Sequence, residues 1–410
     1  MYIKEKLDAL GYDDITPIQK GVFKAFKHKK NLVGLAPTGT GKTHAYLLPL
    51  LEAIHDIKDQ LSAVILVPTN ELVIQVHQML EKTDASIIAK AYYGGGDKQS
   101  ELKWLSKRQP QVIITTPKRF YEYLYDANAI KSQTVKYLIL DEADMMFDYD
   151  FLSIIDPILT RLPNASYKLF SASITKDMQP FISQYFGQYE LIDVTSETIL
   201  KISYVLVNIK YRDRTESLLE LLKTFQPYLA FIFVSKKEDQ LPIFEALSLK
   251  GYQVVNLNAD LSVKQRKKVI DDIKALKYQY VVASDLAARG MDFQISHVIH
   301  YDLPHHLEFF MHRSGRTGRM HDNGTVYTFM SVTDHRKVDK LKKQGIPFVA
   351  YELRQGALVK KERKQSHMSE AEANAIKQIK KPTQVKPNYK KKYKALVTKA
   401  KKKARRKAND

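Results

Sequence analysis

The sequence predicts an α/β protein of two tandem domains, each a mainly parallel sheet flanked by helices, followed by a disordered basic C-terminal tail. Three observations lead there. Short, almost wholly apolar runs recur, each followed by a polar loop and a helical pattern; runs of that kind suit parallel strands buried on both faces. The recurrence is present in both halves of the 410 residues, a length that suits about two domains. Charge is concentrated at one end: the last 50 residues, Lys361 to Asp410, hold 18 Lys/Arg against 4 Asp/Glu, a net +14 of the chain's +20.

In chain order, the predicted strands of the first half are Asn31–Ala36, Ala63–Val67, Val112–Thr115, Tyr137–Leu140 and Lys168–Phe170. Those of the second are Ala230–Val234, Gln253–Leu257, Tyr280–Ala283 and His297–Tyr301. Their alternation with helical segments implies βαβ units. The polar stretch DVTSETILK, from Asp193 to Lys201, reads as a linker. The expected organisation is therefore a first domain over 1–195, a linker over 196–201, a second domain over 202–355 and the tail over 356–410. Within the tail Ser369–Ile379 suits a short helix capped by Ser369, and the lysine-rich segments after it suit disorder. A tail this basic favours a polyanion, most often nucleic acid.

Composition also excludes. With no cysteine there is no disulfide framework, no cysteine zinc site and no thiol nucleophile. No stretch approaches the ~20 apolar residues that span a bilayer, and MYIKEKLDAL lacks the apolar core of a signal peptide. The expectation is a cytoplasmic protein without membrane contact.

The chemistry is first announced by Ala36-Pro37-Thr38-Gly39-Thr40-Gly41-Lys42-Thr43, which follows an apolar strand and opens a helix over His44–Ile54. That is the context of a phosphate-binding loop: glycines let the backbone wrap a phosphate, and amides at a helix N-terminus stabilise its charge. Lys42 would reach the β- and γ-phosphates, and the Thr43 hydroxyl would coordinate Mg²⁺. A loop of this kind serves kinases, GTPases, transporter ATPases and helicases alike. The next element narrows the choice. Asp141 and Glu142 cap a buried strand, at the edge where ligands collect in open α/β sheets. Asp141 can hold the Mg²⁺ and Glu142 can polarise an attacking water, a role a simple nucleotide kinase does not need.

With these residues in place the chain, from about Leu7 to Phe329, resembles the DEAD-box ATP-dependent RNA helicases of superfamily 2, bacterial cold-shock or ribosome-assembly type. The acidic motif is literally Asp141-Glu142-Ala143-Asp144. The resemblance implies two RecA-like domains, with ATP and Mg²⁺ bound between them. Gly11 to Gln19 resembles the adenine-sensing Q motif, so Gln19 would read adenine; Ile15 replaces a usual proline, and the upstream aromatic has no counterpart beyond Tyr12 or Tyr2. Pro68-Thr69-Asn70-Glu71-Leu72, Gly94-Gly95-Gly96 and Thr116-Pro117-Lys118-Arg119 match loops that contact RNA. Pro68, Thr69, Gly95, Thr116 and Arg119 are the implied contacts, with Asn70 standing for a usual arginine and Lys118 for a usual glycine. Ser171-Ala172-Ser173 resembles the SAT motif that links the ATP site to domain movement; Ser171, Ser173, Asp144 and His312 are the implied coupling residues.

In the second domain, Ala283 to Asp292 resembles motif V, which implies Asp285 on the ATP ribose and Ser284 near RNA. His312-Arg313-Ser314-Gly315-Arg316-Thr317-Gly318-Arg319 resembles motif VI, which implies Arg316 and Arg319 as arginine fingers. Arg266 sits at the next implied RNA contact, with Val263 in place of its usual glutamine partner. The implied activity is RNA-stimulated ATP hydrolysis coupled to closure of the two domains, with local, non-processive unwinding of RNA or remodelling of RNA–protein complexes. The implied partner is a single RNA strand or short duplex gripped by its backbone; cold-shock mRNA, ribosome-assembly intermediates and decay substrates all fit, and the core is expected to be monomeric. Two rivals stand beside this reading: a superfamily 2 DNA translocase, and a non-enzymatic RNA clamp.

Overall fold

The computed structural model describes residues 2–27, 31–148, 152–176, 178–196, 201–258, 260–285, 293, 295–318 and 323–361, and in the tail 376, 379, 393 and 395–400. Two compact units result, Met1–Lys360 and Lys361–Asp410. The first contains both sheets. In the second, residues 395–400 are helical; the lysine clusters at 390–392 and 401–407, and most of 369–379, lie outside the described residues.

Among the described residues the first lobe has the strands β1 (Asn31–Leu35), β2 (Ala63–Leu66), β3 (Ala89–Tyr92), β4 (Val112–Thr115), β5 (Tyr137–Asp141), β6 (Ser166–Ser171) and β7 (Tyr189–Asp193). All neighbours run parallel, in the order β3-β4-β2-β5-β6-β1-β7. Its central strands are buried throughout because helices cover both faces, forming two apolar layers around Val64, Ile113 and Leu138 on one side and Ile65, Ile114 and Ile139 on the other. The neighbours in each strand alternate between these layers, as the twofold side-chain period demands.

The second lobe holds β8 (Ile202–Lys210), β9 (Ala230–Phe233), β10 (Val254–Leu257), β11 (Tyr280–Ala283), β12 (His297–His300), β13 (Gly324–Ser331), β14 (Val349–Arg354) and β15 (Ala357–Lys360), in the order β10-β11-β9-β12-β13-β8-β14-β15. Among the described residues only the last pair is antiparallel. The sequence places the end of this lobe at residue 355; the sheet continues to Lys360. Gln355 and Gly356 both take positive φ, 49° and 76°, and close a two-residue hairpin of the kind whose twist matches its strands.

The strand order sorts function along one edge. In the first sheet the carboxyl ends of β1, β6 and β5 lie side by side, with Leu35 paired to Ser171 and Phe170 to Asp141. The phosphate loop, the serine pair and the acidic motif therefore meet at one end of that edge. The carboxyl ends of β2, β4 and β3 occupy the other, and carry Pro68-Thr69, Thr116 and Gly94–Gly96.

Candidate functional site

The phosphate loop turns at Gly39 and Gly41, with φ of 79° and 87°, and runs into the helix Lys42–Ile54. Lys42 is buried, and its ammonium donates to the Ala36 carbonyl at 2.9 Å and the Pro37 carbonyl at 3.3 Å, 3.9 Å from Glu142 Oε1. Thr40 Oγ1 donates to the Pro37 carbonyl at 2.7 Å, so the loop braces itself. Gln19 sits under it: Thr16 and Gln19 form a capping box, and Gln19 Nε2 donates to the Gly41 carbonyl at 3.4 Å. A Cβ at Gly41 would lie 2.7 Å from that amide, so both the left-handed turn and the close approach require glycine. Gln19 thus connects the first helix after Thr16 to the phosphate loop. Of the two aromatics weighed for adenine, Tyr2 bonds Asp84 at 2.6 Å and packs on His55, at the far end of the phosphate-loop helix. Tyr12 instead bonds His44 Nδ1 at 3.2 Å, two residues past Lys42. Burial holds His44 neutral, its pKa pushed down to about 4.

Asp141 is buried at the end of β5. Its Oδ2 accepts from Tyr46 at 2.8 Å and its Oδ1 from the Glu142 amide at 2.9 Å. Tyr46 also bonds the Thr43 side chain, so its hydroxyl joins the two candidate metal ligands. Burial, reinforced by the neighbouring Glu142, pushes Asp141 up to about 7. Glu142 takes a left-handed backbone, φ 52°, rare for a side-chain-bearing residue, and its buried Oε2 has no hydrogen-bond partner among the described residues. The donor set suits Mg²⁺ carried in with phosphates rather than caged by protein: one carboxylate and one hydroxyl converge, and the described residues contain no group of three or more acids and histidines that could hold an ion alone.

Ser171 Oγ accepts from the Asp144 amide at 3.2 Å and donates to the Ser173 carbonyl at 2.8 Å, tying the serine pair to the acidic motif. Asp144 in turn reaches the second lobe: its Oδ2 lies 3.1 Å from His312 Nε2, both groups buried. Burial alone would lower the His312 pKa; the Asp144 carboxylate outweighs it and the pKa is raised. The same pairing outweighs burial at Asp144 and holds its carboxyl low. Beside them Gly315 approaches Thr38 so closely that a Cβ on the glycine would lie 1.9 Å from Thr38 Oγ1. Arg316 is half-buried; desolvation depresses its guanidinium pKa, countered by Glu142 of the first lobe and Asp285 of the second. Asp285 itself is clasped by Arg313, whose Nη2 meets Oδ2 at 2.7 Å while Nε bonds Oδ1. Arg313 also donates to the Asp302 carbonyl and to Ser235 Oγ, and is a buried strut between β9, β11 and β12. Arg319 and residues 286–292 lie outside the described residues.

At the other end of the edge, Thr69 caps the helix Asn70–Thr83 by accepting from the Leu72 amide. Asn70 folds back on the glycine loop, Oδ1 accepting from the Gly94 amide at 3.0 Å and Nδ2 donating to its carbonyl at 3.4 Å. Gly95 is exposed, with φ 91°. Pro68 is buried at the end of β2, while Thr116 and Ser284 are half-buried at the ends of β4 and β11. Arg119 pairs with Glu101 at 3.4 Å and Glu122 at 3.6 Å, and Lys118 beside it is exposed. Arg266 crosses the lobes to Glu71 at 2.6 Å. Tyr46 lies outside the motifs, and Glu71, Arg313 and Gly315 lie inside them without a role of their own; only the apposition of loops gives these four their places.

Residues 16–181 match the DEAD/DEAH box helicase model, and residues 213–321 the Helicase conserved C-terminal domain. The chain is 37% identical over 420 residues to the DEAD-box ATP-dependent RNA helicase CshB of Bacillus subtilis strain 168, covering 99% of this chain and 95% of that one. The chain belongs to the DEAD-box ATP-dependent RNA helicase family. A second DEAD-box relative, CshB of Listeria monocytogenes serovar 1/2a, is 34% identical, covering 99% of this chain and 96% of its own. The fold is that of S. cerevisiae Dbp5 bound to RNA and ADP BeF3: TM-score 0.75 at 22% identity, over 86% of this chain and 93% of that one. Among the described residues no helix is long and apolar enough to cross a membrane.

Proposed function

We propose that this DEAD-box protein hydrolyses ATP in the cleft between its two lobes and uses closure of that cleft to grip and locally unwind RNA. The observation that carries the reading is the contact of half-sites: Asp144 with His312, and Thr38 against Gly315. ATP bound at Lys42 would be complete as a substrate only when Arg316, and Arg319 with it, swings in from the second lobe. Thr43 and Asp141 would hold Mg²⁺, which offsets phosphate charge when bound. Lys42 leaves the Ala36 and Pro37 carbonyls for the phosphates. Glu142 orients and polarises the attacking water, a role supported by its Oε2, which has no hydrogen-bond partner among the described residues. Gln19 reads adenine from beneath the loop, and Asp285, held by Arg313, meets the ribose.

The RNA contacts form a matching pair of half-sites: Pro68, Thr69, Gly95, Thr116 and Arg119 in one lobe, Arg266 and Ser284 in the other. The Arg266–Glu71 pair supports that reading because it joins the two halves when the cleft is shut. ATP and RNA then favour one closed state, so each strengthens binding of the other. A strand bent to fit that groove cannot stay in a duplex, and closure separates a few base pairs. The domains proposed are 1–195 and 202–360 about a linker at 196–201, with the tail beyond Lys360 a sequence-blind tether. The cytoplasm is the proposed location, and ribosome-assembly or decay complexes the proposed setting.

The test is the steady-state ATPase rate of the full chain against added RNA, with single-stranded DNA as control. Stimulation by RNA alone is expected. Equal rates with and without RNA overturn the coupling, and equal stimulation by DNA favours a translocase.

A further inference from the structure

We infer a second binding surface for single-stranded RNA on the second lobe, made of Tyr211 at the end of β8 and the cationic face of the helix His335–Lys343, which follows the neighbouring strand β13. Four observations converge. Tyr211 is 87% exposed, at the tip of a turn in which the Arg212 amide bonds the Ile209 carbonyl at 2.9 Å. The turn forces Lys210 to a positive φ of 53°, so backbone strain is accepted to hold an aromatic ring out in water. The helix that follows β13 buries only Val338 and Leu341 and exposes Arg336, Lys340 and Lys343 within about 60° of one another over roughly 10 Å of its axis. Among the described residues none of these three meets a carboxylate within 4 Å; Asp339 and Asp213 are the acids at the margins. Finally, the turn that carries Tyr211 is tied to the start of the helix: the Val332 amide bonds the Lys210 carbonyl at 3.3 Å, and Arg214 grips Asp334 at 2.6 Å, immediately before the helix begins.

An exposed aromatic face next to a row of unpaired cations is the chemistry that holds a single strand, one base stacked and the flanking phosphates neutralised, without reading sequence. Val332, 40% exposed, widens the apolar platform. The surface is also joined to the site already described. Lys337, on the inner side of the helix, donates to the carbonyls of Leu303 at 3.4 Å and Pro304 at 3.0 Å, in the segment that leads into His312 and Arg313. RNA that overhangs the interlobe groove would lie here, which lengthens the grip beyond the residues that close with ATP. The inference rests on RNA being the substrate.

The test uses the full chain and two single-stranded probes: a short oligouridylate that only fills the interlobe groove, and a polyuridylate many times longer. For Arg336→Gln with Lys340→Gln and Lys343→Gln, the salt slope of log affinity for the long probe is expected to fall by about 2, since each cation on a single strand contributes about 0.7. For Tyr211→Ala, affinity for the long probe is expected to fall about tenfold, with Tyr211→Phe restoring it. Binding of the short probe, RNA-free ATPase and melting temperature should match the parent. Unchanged long-probe affinity and slope overturn the inference, as does an equal loss for both probes. Retained RNA binding with lost capture of polyglutamate would make the face a protein-docking surface and equally overturn it. Failure of RNA to stimulate the parent protein would instead fault the function proposed above.

Discussion

Replacing His312 by alanine tests the split site most directly. In the closed molecule the change leaves the Asp144 carboxylate buried against the second lobe without its imidazole 3.1 Å away. With the lobes apart, that carboxylate is free to meet water. The penalty therefore falls on closure and not on the fold of either lobe. Breaking a buried pair by deleting one partner costs about 3 kcal/mol at the low end. Each 1.4 kcal/mol is tenfold, so closure should weaken roughly 100-fold. RNA-stimulated kcat/KM should fall by that factor and melting temperature should barely move. There is also a pH signature. The His312 pKa is raised in the closed state by Asp144 and, less, by Glu142, against burial and Lys42. Its contribution to closure is fully present below the ordinary imidazole value of about 6.5 and is lost as pH rises through the raised value. Apparent RNA affinity of the parent should thus decline as pH rises above that value, and the variant should be flat over the same window. A variant with parental kcat/KM, or with the parental pH slope, would refute the argument that these two residues join the lobes.

Gly315→Ala should cut RNA-stimulated turnover at least tenfold, because the new methyl lies 1.9 Å from Thr38 Oγ1; adding Thr38→Ala, which removes that oxygen, should recover part of it in the same assay. Asn70→Ala frees the Gly94 amide and carbonyl at the cost of about 1 kcal/mol of net hydrogen bonding, and should weaken RNA binding severalfold in a fluorescence titration while RNA-free ATPase holds. Deleting residues Lys381 to Asp410 should lower RNA affinity and flatten its salt dependence while RNA-saturated turnover survives; an unchanged slope would count against the tether.

The strands most legible in the sequence are those buried on both faces. VIIT at β4 and YLILD at β5 leave no ambiguity about period or environment. Edge strands escape notice because they have one foot in solvent: AKAY at β3 and YELID at β7 are half-exposed or exposed; two interior strands escape it too, ISYVLVNIK at β8, whose apolar residues alternate with polar ones, and GTVYTFMS at β13, which is buried yet reads as turn-like because threonine, serine and glycine punctuate it. The hairpin to Lys360 was hidden for a related reason, since Gln355-Gly356 signals its turn only through the glycine. At the site, motifs single out the residues proposed to face the nucleotide, because phosphate chemistry restricts residue type. They are silent on Tyr46, Glu71 and Arg313, whose roles come from which loop the sheet order puts opposite them. Arg119 illustrates the limit from the other side. Its motif points at RNA, yet its guanidinium also anchors Glu101 and Glu122.

The left-handed backbone at Glu142 has an evolutionary corollary. A glycine there would relax the peptide and remove a submerged oxygen that none of the described residues satisfies, so the wild-type acid is held against the lobe's own thermal interest. Variants screened only for survival of heating should drift toward losing this side chain early, and would emerge sturdier and inert. Engineering a heat-resistant form of the molecule therefore needs turnover in the screen from the first round.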